Sequence, residues 1–479
     1  MPRLLSGTVD LKFVPEDSGR LTRQIYDRLR TAILSGALPP GYRLPSSRML
    51  AKDFNVSRNT VSAVVDQLAV EGYVVVERGR RPVVAAVEKM QLIAADAGRR
   101  QESSPPRISR WASLITKADW HFINDGRPRP FAPGLADARE FPHEVWARCL
   151  RRAAGARAQS GVIGVNHPAL RAALLGHLVA HRGVKAGARQ LIITSSAQAA
   201  IELICRVILN AGDLAWIESP GYGGADVALR AAGAIVCAIP LDEQGMTVAS
   251  RKRAPRLIFI TPSHQYPTGR LMPIGRRLEW LRFAEAAGAS IIEDDYDGEF
   301  HYEARPVAAL QGLAASPRVL YLGTFSKATY ADIRFGYIVV PEALVDTFEL
   351  AQRHTGMLTS IAMQDALAEF IGSGAYLGHI RRVTRLYKGR RDRMLQALAS
   401  EAGDRLAIEA PAGGMQLLAR CQASDQELSA RLLKAGVVSR PLSNMFYHRS
   451  REQGLFLGFA AWNENEIDQA ARILGRIVR

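Results

Sequence analysis

Cysteine is scarce: four residues, Cys149, Cys205, Cys237 and Cys421, are scattered through 479 with no CxxC pair. Neither a disulfide framework nor a zinc site is indicated, and no metal is expected. No apolar run reaches the ~18 residues that a membrane-spanning helix needs. Met1 to Asp10 has no signal-peptide core, so a cytoplasmic protein without a membrane partner is expected. Acid is also in deficit, with 46 Asp and Glu against 62 Lys and Arg, a formal charge of +16. The excess is uneven. Residues 1–110 hold 18 Lys/Arg and 11 Asp/Glu, a net +7, which leaves +9 for the other 369. A basic amino-terminal quarter suggests a polyanion, and nucleic acid rather than membrane, because no Lys/Arg-faced amphipathic anchor accompanies it. The 48% hydrophobic and 23% charged content is ordinary for a globular chain. Its length is too great for one core and implies two or three domains.

In the basic quarter, Leu21, Ile25, Leu29 and Ile33 recur at i, i+4 and predict an amphipathic helix ended by Gly36. The loop ALPPGYRLP keeps the chain non-helical through its prolines. Ser46 or Ser47 caps a short second helix, and after the turn NVS, Ser57 caps a third that runs to Val70. Val61, Val64, Val65 and Leu68 form its buried stripe, while Arg58, Asn59 and Ser62 lie off it near the helix start. This is a helix-turn-helix pattern whose early polar residues would meet base edges in a major groove. Tyr73–Val76 and Pro82–Val87 then read as two strands around a turn carrying Arg78, Arg80 and Arg81, which suits phosphate or minor-groove contact. The stretch from Glu88 to about Lys117 is rich in charge, serine and proline and reads as a flexible linker. The expected domains are therefore 1–87, a linker 88–117, and a large domain 118–479.

Beyond Phe131, apolar strands alternate with helical segments, which argues an α/β domain with a mostly parallel sheet and its ligand site at the strand ends. Polar motifs follow successive strands: Thr-Ser-Ser-Ala-Gln after Ile193, Glu-Ser-Pro-Gly-Tyr after Ile217, Thr-Pro-Ser-His-Gln-Tyr-Pro-Thr-Gly after Ile260, and Glu-Asp-Asp-Tyr after Ile292. The run YLGTFSKATYADIRFGYIVV reads as strand, polar loop, strand. Lys327 stands just past a buried strand, where a lysine can lose pKa and attack an aldehyde. Thr324, Ser326 and Arg334 beside it suit a dianionic phosphate. Aldehyde plus phosphate describes pyridoxal 5′-phosphate (PLP). Taken alone, Lys327 reads rather as a solvated loop lysine, and Tyr222 could be a turn aromatic and Asp294 a loop cap; five consecutive polar strand ends favour a site.

The segment from Leu21 to Val74, with RLPSSR and VSRNTV, resembles a GntR-type winged helix-turn-helix. That resemblance implies contacts to double-stranded DNA from Arg48, Ser57, Arg58, Asn59, Thr60 and Ser62. From about Phe131 onward, SSAQAAIEL, ESPGYGG, TPSHQYPTG, EDDYDGEF and TFSK…R…GY resemble the fold-type-I PLP-dependent aminotransferases, with a smaller α+β subdomain at the carboxyl end. A GntR-type head on this body is identified as the MocR/GabR-like class of transcriptional regulators. The resemblance assigns Lys327 to the Schiff base with PLP, Asp294 to the pyridinium nitrogen, Tyr296 to the ring hydroxyl and Tyr222 to the ring face. It assigns Thr324, Ser326, Arg334 and Ser196, Ala197 and Gln198 to the phosphate, and places His264 beside the cofactor. The sequence departs from the family at Ala197, where a hydroxyl is usual, at Gly161, where a tyrosine is usual, and in ATYADIR after Lys327. No arginine lies in Leu455–Phe459, so Arg440 and then Arg449 are the candidates for an effector carboxylate. A homodimer on paired DNA half-sites, sensing PLP or a small amine or amino-acid effector, is the implied function. An active aminotransferase with an accessory head, and a DNA-binding protein whose degenerate body only dimerises, are the alternatives.

Overall fold

The structure, a computed structural model, describes residues 21–86, 107–116, 128–156, 166–248, 253–303, 307–330, 332–448 and 450–479. It divides into two units, Met1–Arg107 and Ile108–Arg479, each treated by itself below.

The amino-terminal unit holds helices α1 (Leu21–Leu34), α2 (Ser47–Asp53) and α3 (Arg58–Val70) and strands β1 (Val74–Val75) and β2 (Val83–Val84). Ile25, Leu29 and Ile33 of α1 meet Val61, Val64 and Leu68 of α3 in one buried cluster, as their spacing predicts. Ser46 caps α2, and Ser57 caps α3 by accepting the Thr60 amide at 3.1 Å. The wing strands are shorter than expected, and Val87 lies outside the described residues. Pro82 has no amide to give to a ladder. Instead, β2 is also paired from its other side: Gly41 donates to Val84 O at 2.9 Å, Val84 to Tyr42 O at 2.8 Å, and Leu44 to Pro82 O at 2.8 Å. The proline-rich loop thus braces the wing.

Of the expected linker, 88–106 and Lys117 lie outside the described residues, and Arg110–Ile115 forms a short helix. It packs on the helix Gly223–Ala231, and such tertiary contact outweighs a composition poor in helix signals.

The large unit is built on an eight-stranded sheet of β3 (Leu191–Thr194), β4 (Leu214–Ser219), β5 (Ile235–Asp242), β6 (Gly245–Met246), β7 (Leu257–Ile260), β8 (Ser290–Asp294), β9 (Val319–Thr324) and β10 (Gly336–Val339). Its order is β3-β10-β9-β8-β7-β4-β5-β6, with β5, β4, β7, β8 and β9 parallel and β10 antiparallel to both neighbours. Every residue of β3, β7 and β10 is buried, as the uninterrupted apolar runs require of strands covered on both faces. A smaller sheet of β11 (Ala407–Ile408), β12 (Gln416–Cys421), β13 (Arg440–Pro441) and β14 (Gln453–Gly458) forms the α+β part, with the helices Ala375–Ala402 and Glu464–Val478 packed on each other.

One buried cation ties the strand ends together. Arg182 closes the helix Pro168–Arg182 and donates twice to Asp295, at 2.7 and 2.9 Å, and to Ser263 at 2.7 Å. Tyr321 of β9 donates to the same carboxylate at 2.5 Å. The loops after β7 and β8 and the body of β9 are thereby held by a single ion pair with both members almost wholly buried. Removing one partner of such a pair leaves an uncompensated charge and costs about 3–5 kcal/mol. Arg182→Gln is accordingly expected to lower the unfolding free energy of the large unit by that order while leaving that of the amino-terminal unit unchanged, followed by hydrogen exchange of each.

Candidate functional site

The ends of β3, β4, β7, β8 and β9 open on one edge of the sheet and bring the sequence motifs together. Lys327, just past β9, donates its amine to the carbonyl of Gly134. Gly134 has φ +77, and a Cβ there would stand 2.9 Å from the lysine Nζ; only glycine gives this approach. Asp294 ends β8 with 5% of its surface exposed, and its Oδ1 is buried without a hydrogen-bond partner among the described residues. Burial holds the Tyr296 phenol well above its usual range, with the Gln416 side chain opposing. Tyr222 donates to Gln198 Oε1 at 3.3 Å. Between these two stands Tyr266, edge-on to both at 5.6 and 5.9 Å, its hydroxyl accepting from Arg440 at 3.1 Å.

The anion-binding motifs meet through β10, which pairs Gly336 with Thr194 on one side and Thr324 on the other. Ser196 spends its hydroxyl as the cap of the helix Ala197–Ile208, accepting the Ala199 amide at 3.0 Å. The free amides of that helix start, including those of Ala197 and Gln198, are what remains to hold an anion. Thr324 donates to Phe335 O at 3.1 Å and accepts the Ser326 amide at 3.2 Å. Arg334 is exposed, and its guanidinium has no protein partner among the described residues.

Acid crowds this edge. Burial pushes the Asp294 carboxyl well above the usual range, and the neighbouring charges of Asp295, Asp297 and Glu218 push it further, with Lys327 opposing. Burial likewise raises Glu218 to about 7. Burial would raise Asp295 too, but the Arg182 guanidinium holds it below its ordinary value. Lys327 is lowered to about 8, first by burial and then by the charge of Arg440, while Asp297 and Asp294 pull it back up. A buried lysine so adjusted keeps roughly a tenth of its amine neutral at pH 7, far more than an ordinary lysine.

Other expected residues separate. His264 is turned to Asp297, with Nδ1 to Oδ1 at 2.8 Å, and lies tilted against the His301 ring at 5.0 Å. Arg440 joins the site; Arg449 and Gly161 lie outside the described residues. In the amino-terminal unit Arg48, Arg58 and Asn59 are exposed and Thr60 and Ser62 half-buried, with Arg58 donating to Ser47 at 3.2 Å. Ser57 is taken up by the cap. Arg78 and Arg81 are exposed on the wing, and Arg80 is paired with Glu77 at 2.6 Å. The sequence reading missed Gly134, Tyr266 and Gln416. Tyr266 lies inside the TPSHQYPTG motif and carried that signal; Gly134 and Gln416 carried none.

A helix-turn-helix with a wing, and a separate sheet whose strand ends gather a buried lysine and an unpaired acid, define a DNA-binding regulator built on an aminotransferase body. The chain belongs to the aminotransferase class I and II family, which matches residues 135–474, and residues 21–84 match the bacterial regulatory proteins of the gntR family. It is 38% identical to the probable rhizopine catabolism regulatory protein MocR of Rhizobium meliloti, over 91% of this chain and 90% of that protein. It is 27% identical to the pyridoxine biosynthesis transcriptional regulator PdxR of Corynebacterium glutamicum, over 95% of each. Among solved structures, LysN of Thermus thermophilus, an α-aminoadipate aminotransferase complexed with N-(5′-phosphopyridoxyl)-L-leucine, has a TM-score of 0.67 at 28% identity, covering 81% of this chain and 97% of that one.

PLP is the cofactor of such a body, and the residues present fit it. The unpaired Asp294 oxygen can receive a protonated ring nitrogen, Lys327 can take the aldehyde, and the helix start at Ala197 can take the phosphate. Arg440→Gln is expected to raise the Lys327 midpoint above about 8, because it removes the charge that, after burial, depresses it. The pH dependence of Lys327 acylation in the PLP-free protein, read by mass spectrometry, measures this directly.

Proposed function

We propose that this chain is a PLP-dependent transcriptional regulator whose large unit senses PLP or a small amine and whose amino-terminal unit binds DNA. The observation that carries the reading is Asp294 Oδ1, buried and unpaired beside a lysine of lowered pKa, in a chain that also presents an exposed Arg58 and Asn59 at the start of a capped second helix of a helix-turn-helix. PLP, when bound, supplies an electrophilic aldehyde and an electron-withdrawing ring. The protein's part follows from its residues. Lys327 anchors, Asp294 holds the ring nitrogen protonated, Tyr296 and Tyr266 face the ring hydroxyl, and Tyr222 covers a face. Thr324, Ser326, Arg334 and the amides at 196–198 take the phosphate. Arg440, held by Tyr266, takes the carboxylate of an amino-acid effector.

The relatives named as regulators of rhizopine catabolism and pyridoxine biosynthesis support regulation over turnover. We further propose a homodimer on paired half-sites, acting in the cytoplasm, where an effector amine that displaces Lys327 shifts the population of DNA-binding states. One observation favours the alternative of an active aminotransferase: the Lys327, Asp294 and Tyr296 set is whole.

The experiment has two arms. Borohydride reduction of the PLP-loaded protein should fix the cofactor on Lys327, and Lys327→Ala should hold none covalently. In selection from random DNA, Arg58→Ala should lose discrimination among sites by about 1–3 kcal/mol, whereas Arg81→Ala should lose affinity evenly and reduce the salt slope by about one. Covalent PLP in Lys327→Ala, or full selectivity in Arg58→Ala, would contradict the assignment.

A further inference from the structure

Three residues beyond Asp294 stands a second buried carboxyl with an unspent oxygen. Asp297 is 3% exposed; its Oδ1 hydrogen-bonds His264 Nδ1 at 2.8 Å, and its Oδ2 has no partner among the described residues. The arrangement is built from several elements. His264 comes from the loop after β7 and is itself buried. Its ring lies tilted against His301 at 5.0 Å, and His301 Nε2 meets Arg182 Nη1 at 3.2 Å. On the far side a Cβ at position 414 would stand 2.7 Å from Oδ2, so glycine there leaves room for that oxygen. Lys327 and Asp297 line one cavity together with Tyr296, Thr324 and Arg182.

The charged and titratable groups facing Asp297 are few. From its own strand end come Asp294 and Tyr296, from the following turn Tyr302, from the loop after β7 His264, from the loop after β9 Lys327, and across the shared cavity Arg182, Asp295 and Glu299. The Gly413–Gly414 segment brings no charge. Arg182 is engaged by Asp295 and Ser263, and Asp297 stands ahead of Asp294 among the acids that act on Lys327. The PLP contacts inferred above use Asp294 and leave Asp297 without a task.

We propose that Asp297, oriented by His264, is the acid–base group at Lys327 Nζ, moving a proton between the amine and the departing oxygen as the lysine is joined to the cofactor aldehyde, and back as it is released. Lys327 begins as an ammonium. One C–N bond forms, the aldehyde C–O bond breaks, and two protons leave the nitrogen with that oxygen as water, while the nitrogen keeps the third. Asp297 carries the two protons in turn, accepting each from nitrogen and delivering it to oxygen, and ends in its starting state, so neither oxidant nor reductant is needed. His264 acts through Asp297 and is a positioning residue. The inference rests on Lys327 being the anchoring lysine, and its test separates the two.

PLP-free full-length protein is mixed with PLP and the joining step is followed by absorbance across the neutral pH range. Asp297→Asn is expected to slow it about a hundredfold, the range of general acid–base catalysis, with the same final PLP content. Added acetate, a small carboxylate that can enter the space left, should restore part of the rate. In the PLP-free Asp297→Asn protein the acylation midpoint of Lys327 should fall, since an acid that raises it is gone. His264→Gln keeps the carboxyl but frees it, and should slow joining roughly tenfold; it decides the matter if Asp297→Asn does not fold. A wild-type rate in either variant overturns the proposal. So does a slow Asp297→Asn that acetate leaves slow with the Lys327 midpoint unmoved, which would assign Asp297 a structural role only. Recovery of the borohydride-fixed cofactor at a residue other than Lys327 in wild type would instead sink the anchoring assignment.

Discussion

The edge of the large sheet is governed by one constraint: the run Glu293 to Asp297 puts four acids into a space that excludes water, and each must find its own compensation. Glu293 accepts the amides of Leu310 and Gln311 at 2.6 and 2.8 Å. Asp295 takes the buried guanidinium of Arg182. Asp297 takes His264. Among the described residues Asp294 is left with an unsatisfied Oδ1 and, unlike Asp297, no partner on that carboxyl is found for it. A folded protein carries such a cost only where something repays it, and a cationic ring nitrogen is the group whose charge and donor match the gap. The same crowding that makes Asp294 reluctant to ionise makes the site attractive to a cation, so cofactor affinity and the fold of the strand ends are not independent.

That crowding also sets the lysine. Burial and Arg440 push Lys327 towards its neutral form, while Asp297 and Asp294 resist. Its balance therefore depends on whether a ring cation neutralises Asp294 and whether an anionic ligand neutralises Arg440. On the assignment proposed above, cofactor and effector would each change the field at one amine. This would give a physical basis for the proposed sensor, its signal carried by the state of Lys327, while the helix-turn-helix belongs to a unit with its own core.

Much of this was legible in the sequence because it is local. The i, i+4 stripe of α1, the caps Ser46 and Ser57, and the apolar runs of β3 to β9 are set by residues within a few positions of one another, and the polar motif after each buried strand marks where a parallel sheet opens its site. What was not legible lies far apart along the chain. Lys327 meets Gly134 across 193 positions, Asp295 meets Arg182 across 113, and Arg440 meets Tyr266 across 174. His264 was expected beside the cofactor by its motif alone, and only the folded chain turns it to Asp297. The short helix Arg110–Ile115 likewise owes its order to a neighbour, Gly223–Ala231, that its own composition does not reveal.

The central claim joins the unpaired acid to the DNA. It is tested by binding isotherms on an operator selected with the wild-type protein, at one fixed salt concentration, with and without PLP, for wild type and Asp294→Ala. The account predicts that PLP shifts the wild-type isotherm or its footprint and that Asp294→Ala, which binds the same DNA, no longer responds. An isotherm and footprint indifferent to PLP in wild type, or an equal response in Asp294→Ala, would contradict it.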